Sequence, residues 1–137
     1  MRRVFGVVFC WAVSLSGSVW AEVQHFQSPS GNILCEINAD PNSFVRCDLG
    51  VDRQTYTERP ASCEGSWGRS FVVAERGRGF LNCAVDAIDA PDAPTVLPYG
   101  VALELEAITC LSETTGMTCT NADGGGFSVR RAEQRIF

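Results

Sequence analysis

The chain has no lysine, one histidine, and no apolar run long enough to span a bilayer. All 11 basic residues are arginine, against 16 Asp and Glu, and the formal net charge is −5. Beyond the first few residues the longest basic run is Arg130-Arg131. Proteins that grip DNA, RNA or anionic lipid need clustered positive charge, so nucleic acid is not an expected partner. The single histidine, His25, is too little for an imidazole-built metal site, and it offers only one histidine base. There is no Cys-x-x-Cys, which argues against a thiol redox motif and a zinc knuckle, and no Gly-x-Ser-x-Gly nucleophile turn. No cofactor is implied. Disorder is also excluded, because 45% of residues are hydrophobic and 20% charged, as in an ordinary globular domain.

The first 21 residues have the layout of a secretion leader. Arg2-Arg3 is a positive start, Val4 to Leu15 is apolar, Ser16-Gly17-Ser18 breaks the run, and Val19-Trp20-Ala21 is a small-residue cleavage site. The apolar stretch is shorter than the ~20 residues a transmembrane helix requires. Val8-Phe9 ahead of Cys10 are too large for a lipoprotein signal. The expected organisation is a leader over residues 1–21 and one domain over residues 22–137, periplasmic or secreted, with no membrane span after cleavage. Loss of Arg2 and Arg3 takes the formal charge from −5 to about −7.

Cys10 leaves with the leader, and six cysteines remain: Cys35, Cys47, Cys63, Cys83, Cys110 and Cys119. An even set in a small exported chain reads as a disulfide framework. Opposed residues in a hairpin have a constant index sum. Cys35 and Cys47 are symmetric about position 41, inside the turn Ala39-Asp40-Pro41-Asn42. Cys110 and Cys119 are symmetric about Thr114-Thr115. Both pairs should face each other at disulfide distance. Cys63 and Cys83 are left to pair by a non-hairpin route, which would staple the polar loop 50–62 to the sheet. This bridge closes the longest loop, so chain entropy ranks it first in stabilisation.

Short apolar stretches separated by Gly, Pro and Asp turns predict strands over 23–27, 33–37, 43–49, 70–75, 79–85, 117–121 and 127–131. The stretch 101–109 is rich in helix formers, yet Val101, Leu103, Leu105 and Ala107 alternate with Ala102, Glu104 and Glu106, so it reads as one strand. The fold expected is all-β: a small antiparallel sandwich or barrel of disulfide-bonded hairpins.

Several strings are more specific than composition. They are Phe26-Gln27-Ser28-Pro29-Ser30-Gly31-Asn32-Ile33 followed by Cys35, and Val45-Arg46-Cys47-Asp48. A third is Leu97-Pro98-Tyr99-Gly100. The others are Cys110-Leu-Ser-Glu113-Thr-Thr-Gly116-Met-Thr-Cys119-Thr-Asn121 and Gly126-Phe127-Ser128-Val129-Arg130-Arg131. Over residues 26–137 the chain resembles an uncharacterised family of exported bacterial proteins, a domain of unknown function. The resemblance implies a small disulfide-bonded extracytoplasmic domain and carries over no activity and no functional residue.

Candidate chemistry is sparse. His25 lies near the expected mature N-terminus with no marked nucleophile beside it. Glu104 and Glu106 would share one strand face at a spacing within reach of glycoside hydrolysis, which is also the pattern of a solvated strand face. Asn121-Ala-Asp123-Gly124-Gly125-Gly126 resembles the middle of an EF-hand loop, but that register puts Cys119 and Arg130 at ligand positions, so a hairpin turn is expected. Trp67, Tyr56 and Tyr99 are the candidate binding surface, with Trp67 alternatively capping the core beside Cys63. These residues favour a non-enzymatic binding or envelope accessory module, whose partner would be an envelope protein or a glycan. The alternatives are a small extracytoplasmic hydrolase using carboxylates and a purely structural envelope protein.

Overall fold

The computed structural model describes residues 24–39, 41–50 and 53–137, and the leader lies outside them. The fold is all-β, with no helix among the described residues and therefore none long and apolar enough to cross a membrane. Two meanders follow each other along the chain. The first contains β1 (Gln24–Gln27), β2 (Ile33–Asn38), β3 (Phe44–Leu49), β4 (Ser70–Ala74) and β5 (Phe80–Leu81). The second contains β7 (Ala102–Leu105), β8 (Ile108–Glu113), β9 (Gly116–Asn121), β10 (Gly126–Arg130) and β11 (Gln134–Ile136). Between them β6 (Thr95–Val96) returns to lie parallel to β1, the one parallel pair among the described residues. The sheets are ordered β5-β4-β3-β2-β1-β6 and β11-β10-β9-β8-β7. No strand belongs to both, so the architecture is a sandwich and not a closed barrel.

Alternation decides which side chains face inward. In β2 Ile33, Cys35 and Ile37 are buried, and in β3 Val45, Cys47 and Leu49. In the second sheet Ile108 and Cys110 of β8, Met117 and Cys119 of β9, and Phe127 and Val129 of β10 complete one core. Phe71 of β4 meets Phe127 across the sandwich, ring centroids 6.0 Å apart.

Two bridges pair as the hairpin symmetry requires, and the third joins the two cysteines left over. Cys35 faces Cys47 with Cα atoms 4.1 Å apart, and Cys110 faces Cys119 at 4.0 Å. These are the short spacings of facing residues in antiparallel pairs. Cys63 joins Cys83 at 5.6 Å.

Three expectations need correction. The stretch 101–109 is a hairpin, not one strand. Leu105 pairs with Ile108, and Glu106 and Ala107 form a two-residue turn with Glu106 at φ 44°. No glycine or asparagine marks that turn, which is why the alternation hid it. The strand expected over 79–85 stops at Leu81, because Cys83 is drawn to Cys63 and Ala84 pairs with Ser66 outside the sheet. An unforeseen closing strand, β11, follows β10. It forms because the buried Gln134 takes up backbone groups of the 53–55 loop and of Arg130.

Candidate functional site

One end of the sandwich is built by four turns. Ser28–Asn32 joins β1 to β2. Its shape is set by buried Ser28, whose Oγ accepts from the Ile33 amide and contacts Ser30 Oγ, while the Gly31 amide donates to the Ser28 carbonyl. Pro98–Val101 is a tight turn closed by the Val101 amide donating to Pro98 O, with Gly100 at φ 80°. Gly at that position is the signature of a type II turn, and it leaves Tyr99 at the tip. The Gly100 amide donates to Ser112 O, which pins this turn beside β8. Thr114 and Thr115 link β8 to β9. A Cβ on Gly116 would stand 2.0 Å from Val129 O, so no side chain fits there. The fourth turn follows Arg130, whose amide donates to Glu133 O and whose carbonyl accepts from Gln134 Nε2.

These turns enclose a concavity of about 460 Å³. Ile33 and Leu49, both buried, form apolar wall, and Ser30, Asn32, Tyr99, Glu113, Thr114, Thr115, Arg130 and Arg131 surround it. Ser28 and Ser30 are committed to the first turn, and the charged and neutral groups facing them are not. Arg130 and Arg131 have no ion-pair partner within 4.0 Å among the described residues. The side chains of Asn32, Thr114 and Thr115 likewise make no hydrogen bond among them.

Three other concavities are of similar size; each also carries polar side chains without a partner among the described residues, but none is lined by two unpaired arginines. On the outer face of the first sheet, a space of about 380 Å³ lies over Phe44, Val72 and Phe80. Beside it Arg46 donates from Nε and Nη2 to the Asp48 carboxylate, from Nε also to Ser70 Oγ, and from Nη2 to Asp86 O. A second, of about 390 Å³, holds Tyr56, Trp67 and Leu81. There Tyr56 stacks tilted on Phe71, and its hydroxyl accepts from the Ile136 amide. The third, of about 420 Å³, is lined by His25 with Phe26, Leu97 and Leu103, and His25 Nε2 stands 4.0 Å from Glu36.

The candidate residues therefore scatter. Tyr56 and half-buried Trp67 share one concavity, while Tyr99, 45% exposed, stands at the turn end among the unspent groups. His25 is on β1, Glu104 on the edge strand β7, and Glu106 in the turn that follows it. Glu104 and Glu106 do not share a strand face, because the strand ends at Leu105. Of the three, only His25 lines one of these four concavities. The EF-hand-like stretch is a hairpin turn. Asn121 donates to Ala74 O and Gly77 O and accepts from the Asp123 and Gly125 amides, and Asp123 accepts from the Gly77 amide.

Ser30, Asn32, Glu113, Thr114, Thr115, Arg130 and Arg131 were not foreseen as a surface, although each lies in or beside one of the specific strings. The strings were legible, but their convergence depends on strand register. A family model described as a family of unknown function, DUF6636, matches residues 9–137. No curated protein and no solved structure matches the chain.

Proposed function

The chain belongs to the DUF6636 family, and we propose that it is an exported, non-enzymatic binding module that presents its four-turn end to a partner in the cell envelope. The observation that carries this reading is the convergence of Ser28–Asn32, Pro98–Gly100, Glu113–Gly116 and Arg130–Arg131 on one concavity where the Asn32, Thr114, Thr115, Arg130 and Arg131 side chains have no partner among the described residues. A carboxylate hydrolase would need Glu104 and Glu106 in one cleft, and they sit on different elements. Export is supported by the leader over residues 1–21 and by three disulfides, which persist in oxidising compartments.

Two measurements test the proposal. Mass spectrometry of the exported protein should show a chain beginning at Glu22; an intact leader or a lipid on Cys10 would overturn export. Pull-downs from envelope extract with the oxidised mature domain should recover a partner that Tyr99→Ala with Arg131→Ala no longer recovers, while Trp67→Ala still does. Equal recovery by all three proteins would remove the four-turn end from the reading.

A further inference from the structure

We propose that the four-turn concavity binds a carboxylated oligosaccharide, with Arg130 and Arg131 reading the carboxylate and Tyr99 stacking on a sugar ring. This deepens the reading above and rests on it.

The charge argument comes first. Carboxylates outnumber arginines 16 to 11 over the chain, so its general field repels anions. Around this concavity the sign reverses: two guanidinium groups stand against one carboxylate, Glu113. Neither guanidinium is neutralised by a neighbour among the described residues. A planar guanidinium matches a carboxylate with two parallel hydrogen bonds. The buried Gln134 holds the backbone here, since its Nε2 donates to Arg130 O at 2.7 Å. The turn that carries the arginines is thereby placed before any ligand arrives.

The neutral groups supply the rest of the recognition. The Asn32 amide and the Thr114 and Thr115 hydroxyls are free to exchange hydrogen bonds with sugar hydroxyls. Tyr99 has a half-exposed ring with no aromatic partner among the described residues. It combines a flat apolar face with a polar tip at little cost in conformational freedom. The volume of about 460 Å³ falls in the roughly 300–1,000 Å³ range of small-ligand sites. An acidic peptide fits less well. Arginine clusters also read acidic peptide motifs, but an exposed tyrosine ring beside free hydroxyl and amide groups matches the alternating apolar faces and hydroxyls of a sugar, and a tetraglutamate probe separates the two.

The test uses the oxidised mature chain and titration calorimetry. The probes are tetramers of galacturonic acid and of glucuronic acid with N-acetylglucosamine, their methyl-esterified neutral forms, and a tetraglutamate peptide. At least one acidic tetramer should bind. Methyl esterification should weaken it at least about tenfold, as should Tyr99→Ala and Arg130→Ala with Arg131→Ala. Tyr99→Phe should retain binding, and all variants should melt with the parent. Equal binding of the neutral form would overturn the carboxylate assignment, and equal binding of tetraglutamate would overturn the sugar. Binding of none of the acidic tetramers, alongside a Tyr99- and Arg131-dependent partner in the pull-down, would overturn this inference and leave the binding-module reading standing.

Discussion

The two ends of the sandwich are built from the same residue types and used differently. At one end the turn Asn121–Gly126 is locked onto the turn Glu75–Gly79 of the other sheet. A Cβ on Gly79 would stand 2.0 Å from Gly126 O, and one on Gly125 would stand 1.8 Å from Gly77 O. Asn121 spends its whole amide there, and the Phe137 carbonyl accepts from Gly79 and Gly126. At the other end Gly116 is as crowded, but Gly100, beside Tyr99, has a positive φ and nothing stands within 4 Å of the Cβ it lacks. Its neighbours Tyr99, Thr114 and Arg131 point into open space around a recess. One end joins the sheets through the Asn121 side chain and backbone hydrogen bonds, and the other surrounds a recess.

The comparison breaks first at Gly79. Gly79→Ala drives a methyl into the facing backbone and should destabilise by about 3 kcal/mol or more, read by chemical denaturation. A cost below that of Gly100→Ala would mean the closed end is not tightly packed. Next, Asn121→Ala removes two donated and two accepted hydrogen bonds and should cost about 2–4 kcal/mol. Binding at the far end should be unchanged in the folded fraction.

The third test concerns the bridges. Loop length favours Cys63–Cys83, whose sequence separation is 20 against 9 for Cys110–Cys119, by about 0.7 kcal/mol. Burial works the other way. Cys110 and Cys119 are 1% and 0% exposed in the shared core, and each sulfur deleted there costs about 1 kcal/mol in burial and packing. Cys110→Ala with Cys119→Ala should therefore melt lower than Cys63→Ala with Cys83→Ala, reversing the ranking that spacing alone suggests.

Two smaller effects sharpen the contrast. Glu106→Gly relieves a non-glycine residue at φ 44° and should stabilise by about 1 kcal/mol; a lower melting temperature would show that its side chain is needed at that turn. Tyr99→Ala should change stability by less than about 0.5 kcal/mol, since a half-exposed side chain at a turn tip holds little of the core.

Much of the scaffold was legible in the chain. The symmetry of Cys35 with Cys47 and of Cys110 with Cys119 follows from hairpin geometry, and short apolar stretches between turn residues marked β2, β3 and β9 as strands. What escaped depended on partners distant in sequence. β11 exists because Gln134 meets Thr55 and Arg130, and a polar residue in a short charged tail carries no local mark of that role. Glu106 turns the chain without any usual turn residue. The candidate site was legible in pieces only. The Ser28–Asn32, Pro98–Gly100 and Glu113–Gly116 strings were visible, but sheet order brings them together. The same order separates Tyr99 from Tyr56 and Trp67.

The placement of the disulfides has a covalent consequence. Cys35–Cys47 and Cys63–Cys83 close within the first 83 residues, and Cys110–Cys119 closes within the last meander. Among the described residues no disulfide spans the connecting segment between Asp86 and Pro94. One peptide-bond cleavage there divides the oxidised domain into two pieces, each keeping its own bridges, and a non-reducing denaturing gel separates them. Under native conditions the shared core, not any covalent tie, is what keeps the halves together. The molecule is in this sense a ready-made fragment pair: two chains expressed apart should reconstitute one sandwich, and the recess would report their reunion.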